Sequence, residues 1–180
     1  MLRITIPATE EWNETKEEFI YTKEQTLQLE HSLVSLSKWE SRWKKPFLSK
    51  EVKTKEEIID YIKCMTITQN VDPNVYRCLT EENIKTVNAY INDPMTATTF
   101  SDRNKRSPSR EIITSEILYY QMIALTIPME CQKWHLNRLL TLIRVCDLKN
   151  QKPKKQSMRE RYTSNVALNA ARRKQLNSKG

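Results

Sequence analysis

Cys131 and His135 stand four residues apart. On a helix that spacing puts a thiol and an imidazole on one face, where a thiolate–imidazole pair can act as a nucleophile. No Asp or Asn is identifiable that would orient the imidazole, and the surrounding apolar residues need the same helix for packing, so the pair reads as structural. A zinc site would have to combine His31 and His135 with two of Cys64, Cys78, Cys131 and Cys146. Those cysteines are separated by 14, 53 and 15 residues, with no Cys-x-x-Cys to anchor a metal, and they read as free buried thiols. Paired carboxylates occur at Glu10-Glu11, Glu17-Glu18, Glu56-Glu57 and Glu81-Glu82. Acid–base chemistry can use such pairs, but most of these fall in polar connections or in helix first turns, where acids complement the helix dipole. Trp39 and Trp43, followed by Lys44 and Lys45, have the spacing to stack bases above phosphate-binding lysines. The competing reading, two large rings on the core face of one helix, is preferred because no strand platform surrounds them. The residues thus predict no catalytic, cofactor-binding or metal-ligating set, and no enzyme.

Charge singles out the other end of the chain. Residues 149–180 hold ten basic residues and one acid, Glu160, for +9, while residues 1–148 hold 20 basic and 21 acidic groups, for −1. A basic segment beside a neutral body meets either phosphates or an acidic protein surface. Its candidate contact residues are Arg159, Arg161, Tyr162, Arg172, Arg173 and Lys174. Tyr162 is the tail's only aromatic residue, so the composition argues for charge complementarity without deciding whose charge is met.

The elements that must position these groups follow from pattern. The 180-residue chain contains one glycine, Gly180, so phosphate-cradling Gly-rich loops of Walker or Rossmann type and Asn-Gly hairpins are excluded. No apolar run reaches the length of a membrane span, and Met1–Pro7 lacks the apolar core of a secretory signal, so a cytosolic protein is expected. Leu2–Ile6 and Glu18–Thr22 are β-type runs joined by a polar connection and predict a two-stranded hairpin within about residues 1–30. Leu27, Leu29, His31 and Leu33 either extend that sheet or open the next helix, which runs from Ser32 through Leu33, Leu36, Trp39/Glu40 and Trp43 and ends before Pro46.

Thr54 with Glu57 forms a capping box ahead of Ile58, Ile59, Tyr61, Ile62 and Met65. Asp72-Pro73 opens a short helix, and Thr80 caps another with Ile84, Val87 and Ile91 inward, ending at Asp93-Pro94. Residues 95–110 read as a loop. Residues 112–125 are apolar on nearly every side and predict a central core helix, broken at Ile127-Pro128. A second helix over 130–147, with Leu136, Leu139, Leu140 and Ile143 on one side, completes a helical hairpin with it. Beyond lie a basic linker from Lys149 and a thin final helix with Met158, Tyr162, Val166 and Ala170 as its apolar stripe and Ser157 as its cap. The expectation is a mainly α protein with a small N-terminal β-hairpin (α+β), a helical body over 1–148 and a basic linker and marginal helix over 149–180.

Several stretches carry a resemblance. His31-Ser-Leu-Val-Ser-Leu-Ser-Lys-Trp-Glu40, Lys45-Pro-Phe-Leu48, Tyr90-Ile-x-x-Pro94-Met-Thr-Ala-Thr98, the Tyr119-Tyr120 helix with Ile127-Pro128, and Asn169-Ala-Ala-Arg-Arg-Lys-Gln-Leu-Asn-Ser-Lys-Gly180 together resemble a family of small tail-morphogenesis proteins of tailed bacteriophages and prophages of Gram-positive bacteria. Members are usually assigned as tail assembly chaperones. The resemblance implies a host-cytoplasmic factor that binds the tape-measure or tail-tube protein during assembly. It brings no catalytic or ligand motif and no cofactor. A structural tail or head–tail protein kept in the virion, and a nucleic-acid-binding protein using residues 149–180, stand as alternatives. Self-association stays open as well, and no membrane partner is expected.

Overall fold

The computed structural model of the chain describes residues 1–13, 17–100, 112–150 and 158–177. The described residues are mainly helical with a small N-terminal antiparallel β structure, an α+β fold. The contacts within the chain separate it into two units, Met1–Asp147 and Leu148–Gly180.

Four strands open the first unit: β1 (Leu2–Ile6), β2 (Thr9–Asn13), β3 (Glu18–Thr22) and β4 (Gln25–Leu29). The strands Leu2–Ile6 and Glu18–Thr22 both form, but they do not pair with each other. β1 pairs with β4, Leu2 opposite Leu29, and β2 pairs with β3, Thr9 opposite Thr22. Partner numbers add to 31 in both ladders, so the two are one long antiparallel ribbon interrupted where Pro7 lacks the N–H a ladder requires. Burial decides the pairing. Ile4 and Ile6 of β1 need apolar neighbours on the same face, and only Leu27 and Leu29 of β4 supply them, all four being buried. The alternation at Leu27 and Leu29 therefore belongs to a strand, and Glu10-Glu11, expected in a polar connection, lies in β2.

Six α-helices follow among the described residues: α1 (Leu33–Trp43), α2 (Lys55–Met65), α3 (Glu81–Asn92), α4 (Ser115–Ala124), α5 (Leu136–Asn150) and α6 (Met158–Leu176). The starts of α1, α2 and α3 are local chemistry. Ser32 and Thr54 close capping boxes with Ser35 and Glu57, and the Thr80 hydroxyl accepts from Asn83 N–H. Asp72 caps a single 3-10 turn at Pro73–Arg77. Pro46 has the predicted effect, since α1 stops at Trp43 with Lys44 in the left-handed region at φ 55°.

Two apolar clusters fill this unit, and α1 serves both. Trp39 packs with β1, β4, α2, α3 and the 3-10 turn, whereas Leu33 and Leu36 pack with Leu118, Met122, Leu136, Leu139 and Ile143. Phe47, just past α1, touches both clusters. Its ring stacks on Tyr61 at 3.9 Å and meets Trp39 edge-on at 5.1 Å.

Three expectations are corrected in the second cluster. The apolar segment from residue 112 is not buried all round: α4 begins at Ser115, and Tyr120 and Ile123 are 70% and 68% exposed. Only the Leu118 and Met122 face is covered, where it packs with Leu33 and Leu36 of α1 and with Leu136, Leu139 and Ile143 of α5. Composition reported how apolar this helix is, but not how many neighbours it has. The next helix does not start at residue 130 either. Met129–Lys133 is a 3-10 turn, Trp134 is extended, and α5 begins at Leu136, whose N–H donates to the His31 carbonyl at 2.7 Å. That tertiary bond takes the first helical donor and fixes the start. At its other end α5 continues through Lys149 and Asn150, which were expected in the linker.

The 95–110 loop expectation can be followed only through residue 100, where the backbone is irregular; residues 101–110, the rest of that linker, and Ser157 as a cap lie outside the described residues. No helix among the described residues is long and apolar enough to cross a membrane.

Candidate functional site

The residues singled out for chemistry in the body are committed to structure. His135, at the entry to α5, has Nδ1 accepting from Asn137 N–H at 3.3 Å, while Nε2 lies 3.0 Å from the Tyr90 carbonyl. The second bond assigns the proton to Nε2. With both nitrogens engaged, the imidazole has no free position from which to activate Cys131. His31 is buried beside it, ring centroids 5.1 Å apart, and its Nδ1 is hydrogen-bonded to the Tyr61 hydroxyl at 2.5 Å. Burial, with a smaller contribution from His135, lowers the His31 pKa from 6.5 to about 3, and burial raises that of the Tyr61 phenol. Both side chains are thus held in their uncharged forms. Among the described residues no three His, Cys, Asp or Glu side chains converge as a metal site.

The tryptophans are core. Trp39 is buried and its indole N–H donates to the Glu57 carbonyl, while the half-buried Trp43 donates to Asp60. Their rings stack on each other at 6.1 Å and leave no platform for a base. The carboxylate pairs also do structural work. Glu81 and Glu82 sit in the first turn of α3, and Glu56 and Glu57 in that of α2. Glu57 binds Thr54 N–H and Lys45 Nζ, and the Lys45 bond, followed by the Thr54 bond, lowers its pKa.

One buried carboxylate escapes pattern reading. Glu40 accepts from Phe47 N–H through Oε1 at 2.8 Å and from Ser115 N–H through Oε2 at 2.7 Å. Thr114, at the N-cap of α4, makes no side-chain cap bond, so a residue 75 positions earlier in sequence supplies the acceptor that an orphan helix donor requires. The available signal was an acid placed on the apolar stripe of α1.

The candidate partner-binding residues are of the opposite kind. Arg159, Arg161, Tyr162, Arg172, Arg173 and Lys174 all lie on α6 and all are exposed. The segment is helical for local reasons: Ala, Leu, Arg, Lys and Gln favour the helix, no Gly or Pro interrupts it, and Arg173 and Lys174 in the last turn complement the dipole. Residues 163–171 carry no charge. The basic residues therefore form two clusters about 16 Å apart along the axis at 1.5 Å per residue. Eleven residues are close to three full turns, so Arg161 and Arg172 share one face, and Tyr162 and Arg173 share the next. Val166 and Leu168 lie between the clusters and are exposed as well. A rod with a basic patch at each end and a weakly apolar middle can engage an acidic surface of similar length, and nothing in it resembles catalytic machinery. Comparison with family models, curated proteins and solved structures found no match to this chain.

Proposed function

We propose that this protein is an assembly factor of bacteriophage tail morphogenesis, of the chaperone type, acting in the host bacterial cytoplasm. In this reading it is not an enzyme. The body is a scaffold, and α6 is the arm that holds a tape-measure or tail-tube protein until the tail polymerises. The observation that carries the reading is α6 itself: a 19-residue helix whose described side chains are exposed from end to end, Arg159, Arg161, Arg172, Arg173 and Lys174 among them. Most helical stability in proteins comes from packing an apolar face, which α6 does not bury, so a partner that covers it also orders it. The tape-measure or tail-tube protein is proposed as the partner on the resemblance read in residues 31–48, 90–98, 119–128 and 169–180. A client that must later be released suits several weak contacts better than one tight pocket.

The test is co-expression of the tagged full-length chain with the tape-measure protein of a phage that encodes it, purified with nuclease present. Retention of the tape measure by wild type, and its loss with Arg172→Glu/Arg173→Glu/Lys174→Glu, is the expected result. Equal retention by that variant would remove α6 from the proposal. Loss of the captured material on nuclease treatment, with affinity falling by about one log–log unit of salt dependence per phosphate contact, would replace it with nucleic-acid binding.

A further inference from the structure

A groove runs along one side of α5. Residues 95–98, just past α3, form one wall, and Trp134, Arg138, Leu142 and Val145 form the other, enclosing about 440 Å³. That volume is within the usual range of binding clefts. Asn137 ties the end of α3 to α5, its side-chain amide donating to the Ile91 and Asp93 carbonyls at 2.9 and 2.7 Å. Two further bonds shape the wall: Met95 N–H donates to Asp93 Oδ1 at 2.8 Å, and Thr98 N–H to Thr96 Oγ1 at 3.1 Å. Among the described residues the backbone of residues 94–100 makes no hydrogen bond to other backbone. An extended chain laid beside it can pair with those groups.

Charge decides what the groove accepts. No acid lines it, and α5 carries Arg138, Arg144 and Lys149 against Asp147, a net of +2. The Arg138 guanidinium sits over the Trp134 ring at 4.3 Å, and that of Arg144 over Phe100, two residues past the wall, at 4.0 Å. Among the described residues neither guanidinium is in an ion pair. A guanidinium held on a ring keeps its N–H edge for a carboxylate and loses less freedom on binding one. Phosphate could meet the same cations, but both rings already carry a guanidinium, so a nucleic acid finds no stacking platform here. The apolar Met95, Ala97, Leu142 and Val145 suit a peptide side chain instead.

We propose that this groove binds an extended acidic peptide segment of a partner protein. The peptide backbone pairs with residues 95–98, an apolar side chain enters the groove, and two carboxylates reach Arg138 and Arg144. The two arginines are separated by about 9 Å along the helix axis. At about 3.3 Å per residue, the two acids stand two or three positions apart. The inference concerns the Met1–Asp147 unit alone and does not rest on the role proposed for α6.

Fluorescence anisotropy on the full-length chain tests this, with labelled peptides carrying the cores Glu-Leu-Glu and Glu-Leu-Ser-Glu and the same peptides with Gln for Glu. The expected result is that an acidic peptide binds about tenfold or more tightly than its Gln counterpart. Arg138→Gln/Arg144→Gln should remove that preference. Ala97→Glu, which sets a competing carboxylate in the groove, should weaken acidic-peptide binding by about threefold or more. Because α6 also attracts acids, Arg172→Gln/Arg173→Gln/Lys174→Gln is measured beside them and should leave the preference in place. All these changes fall on exposed side chains and should leave melting as in wild type. If the α5 variant melts early, Ala97→Glu decides alone. Equal binding of acidic and Gln peptides by wild type overturns the proposal, as does a preference that survives the α5 variant or vanishes with the α6 variant. Binding of a labelled oligothymidylate that requires Arg138 and Arg144, where the peptides do not bind, would give the groove to phosphate instead.

Discussion

In the Met1–Asp147 unit even polar side chains lie inside: His31, Ser35, Glu40, Glu57 and His135 are all buried. Along Met158–Leu176 even apolar ones lie outside, Val166, Leu168 and Leu176 among them. Both segments contain helices, and helix propensity does not distinguish those helices. What differs is where the polar groups find their partners. In the body a buried polar group is matched from another element: Glu40 to Ser115, Asn137 to the Ile91 and Asp93 carbonyls at the end of α3, Tyr61 to His31. In α6 the charged groups face outward. The body's sequence answers to its own packing, and that of α6 answers to whatever meets it.

The largest expected effect tests the inside of that comparison. Leu139 is fully buried, and Leu139→Asp places a carboxylate there at several kcal/mol, enough to unfold a domain of ordinary stability. The same change at Leu168 on α6 should alter the unfolding free energy by no more than about 0.5 kcal/mol. Equal melting curves for the two variants would abolish the distinction.

Acid reads the buried histidine. The folded pKa of His31 is lowered to about 3, so between pH 6.5 and 3 the unfolded chain takes up a proton that the folded chain refuses. Its contribution to stability is complete above pH 6.5 and declines as pH falls, by about 1.4 kcal/mol per unit. Urea titrations at steps from pH 7 to 5.5 should show this slope in wild type and a flatter one in His31→Gln, which retains a hydrogen-bonding amide for the Tyr61 hydroxyl. The window stays above the ordinary glutamate value of 4.5, around which the unfolded chain protonates Glu57, whose folded pKa is lowered. An unchanged slope would mean that His31 is accessible to protons in the folded state.

The smallest effect concerns backbone strain. Thr126 sits at φ 52° just past α4, where Ile127 N–H donates to the Met122 carbonyl and Thr126 N–H to that of Ile123. This is the double bond of a helix end that glycine usually makes, carried here by a β-branched residue. Thr126→Gly should relieve about 1 kcal/mol and raise the melting temperature by about 3 °C. A fall in melting temperature would show that the threonine side chain contributes more than its backbone strain removes.

Much of the local structure was legible in the sequence because its causes lie within a few residues. The hydroxyl caps at Thr54 and Thr80, the stops at Pro46 and Asp93-Pro94, the period-two strands and the split of charge near residue 148 are all short-range facts. So was α6 as a thinly apolar basic helix, because exposure is what remains when a segment has no stripe wide enough to bury. A single glycine excluded glycine-rich loops but not positive φ, which Lys44, Asn70, Met95 and Thr126 adopt under the constraints of their surroundings.

Tertiary structure decided everything that depends on a distant partner. It matched β1 with β4 because only Leu27 and Leu29 can share a buried face with Ile4 and Ile6. It exposed Tyr120 and Ile123 because α4 is covered on its Leu118 and Met122 face alone. It made Glu40, an acid on the apolar stripe of α1, the cap of a helix 75 residues away, and it started α5 at Leu136 by donating that residue's N–H to His31. Periodicity records which residues prefer to leave water, and only the assembled fold determines how many of them find cover and which buried polar atoms they meet there.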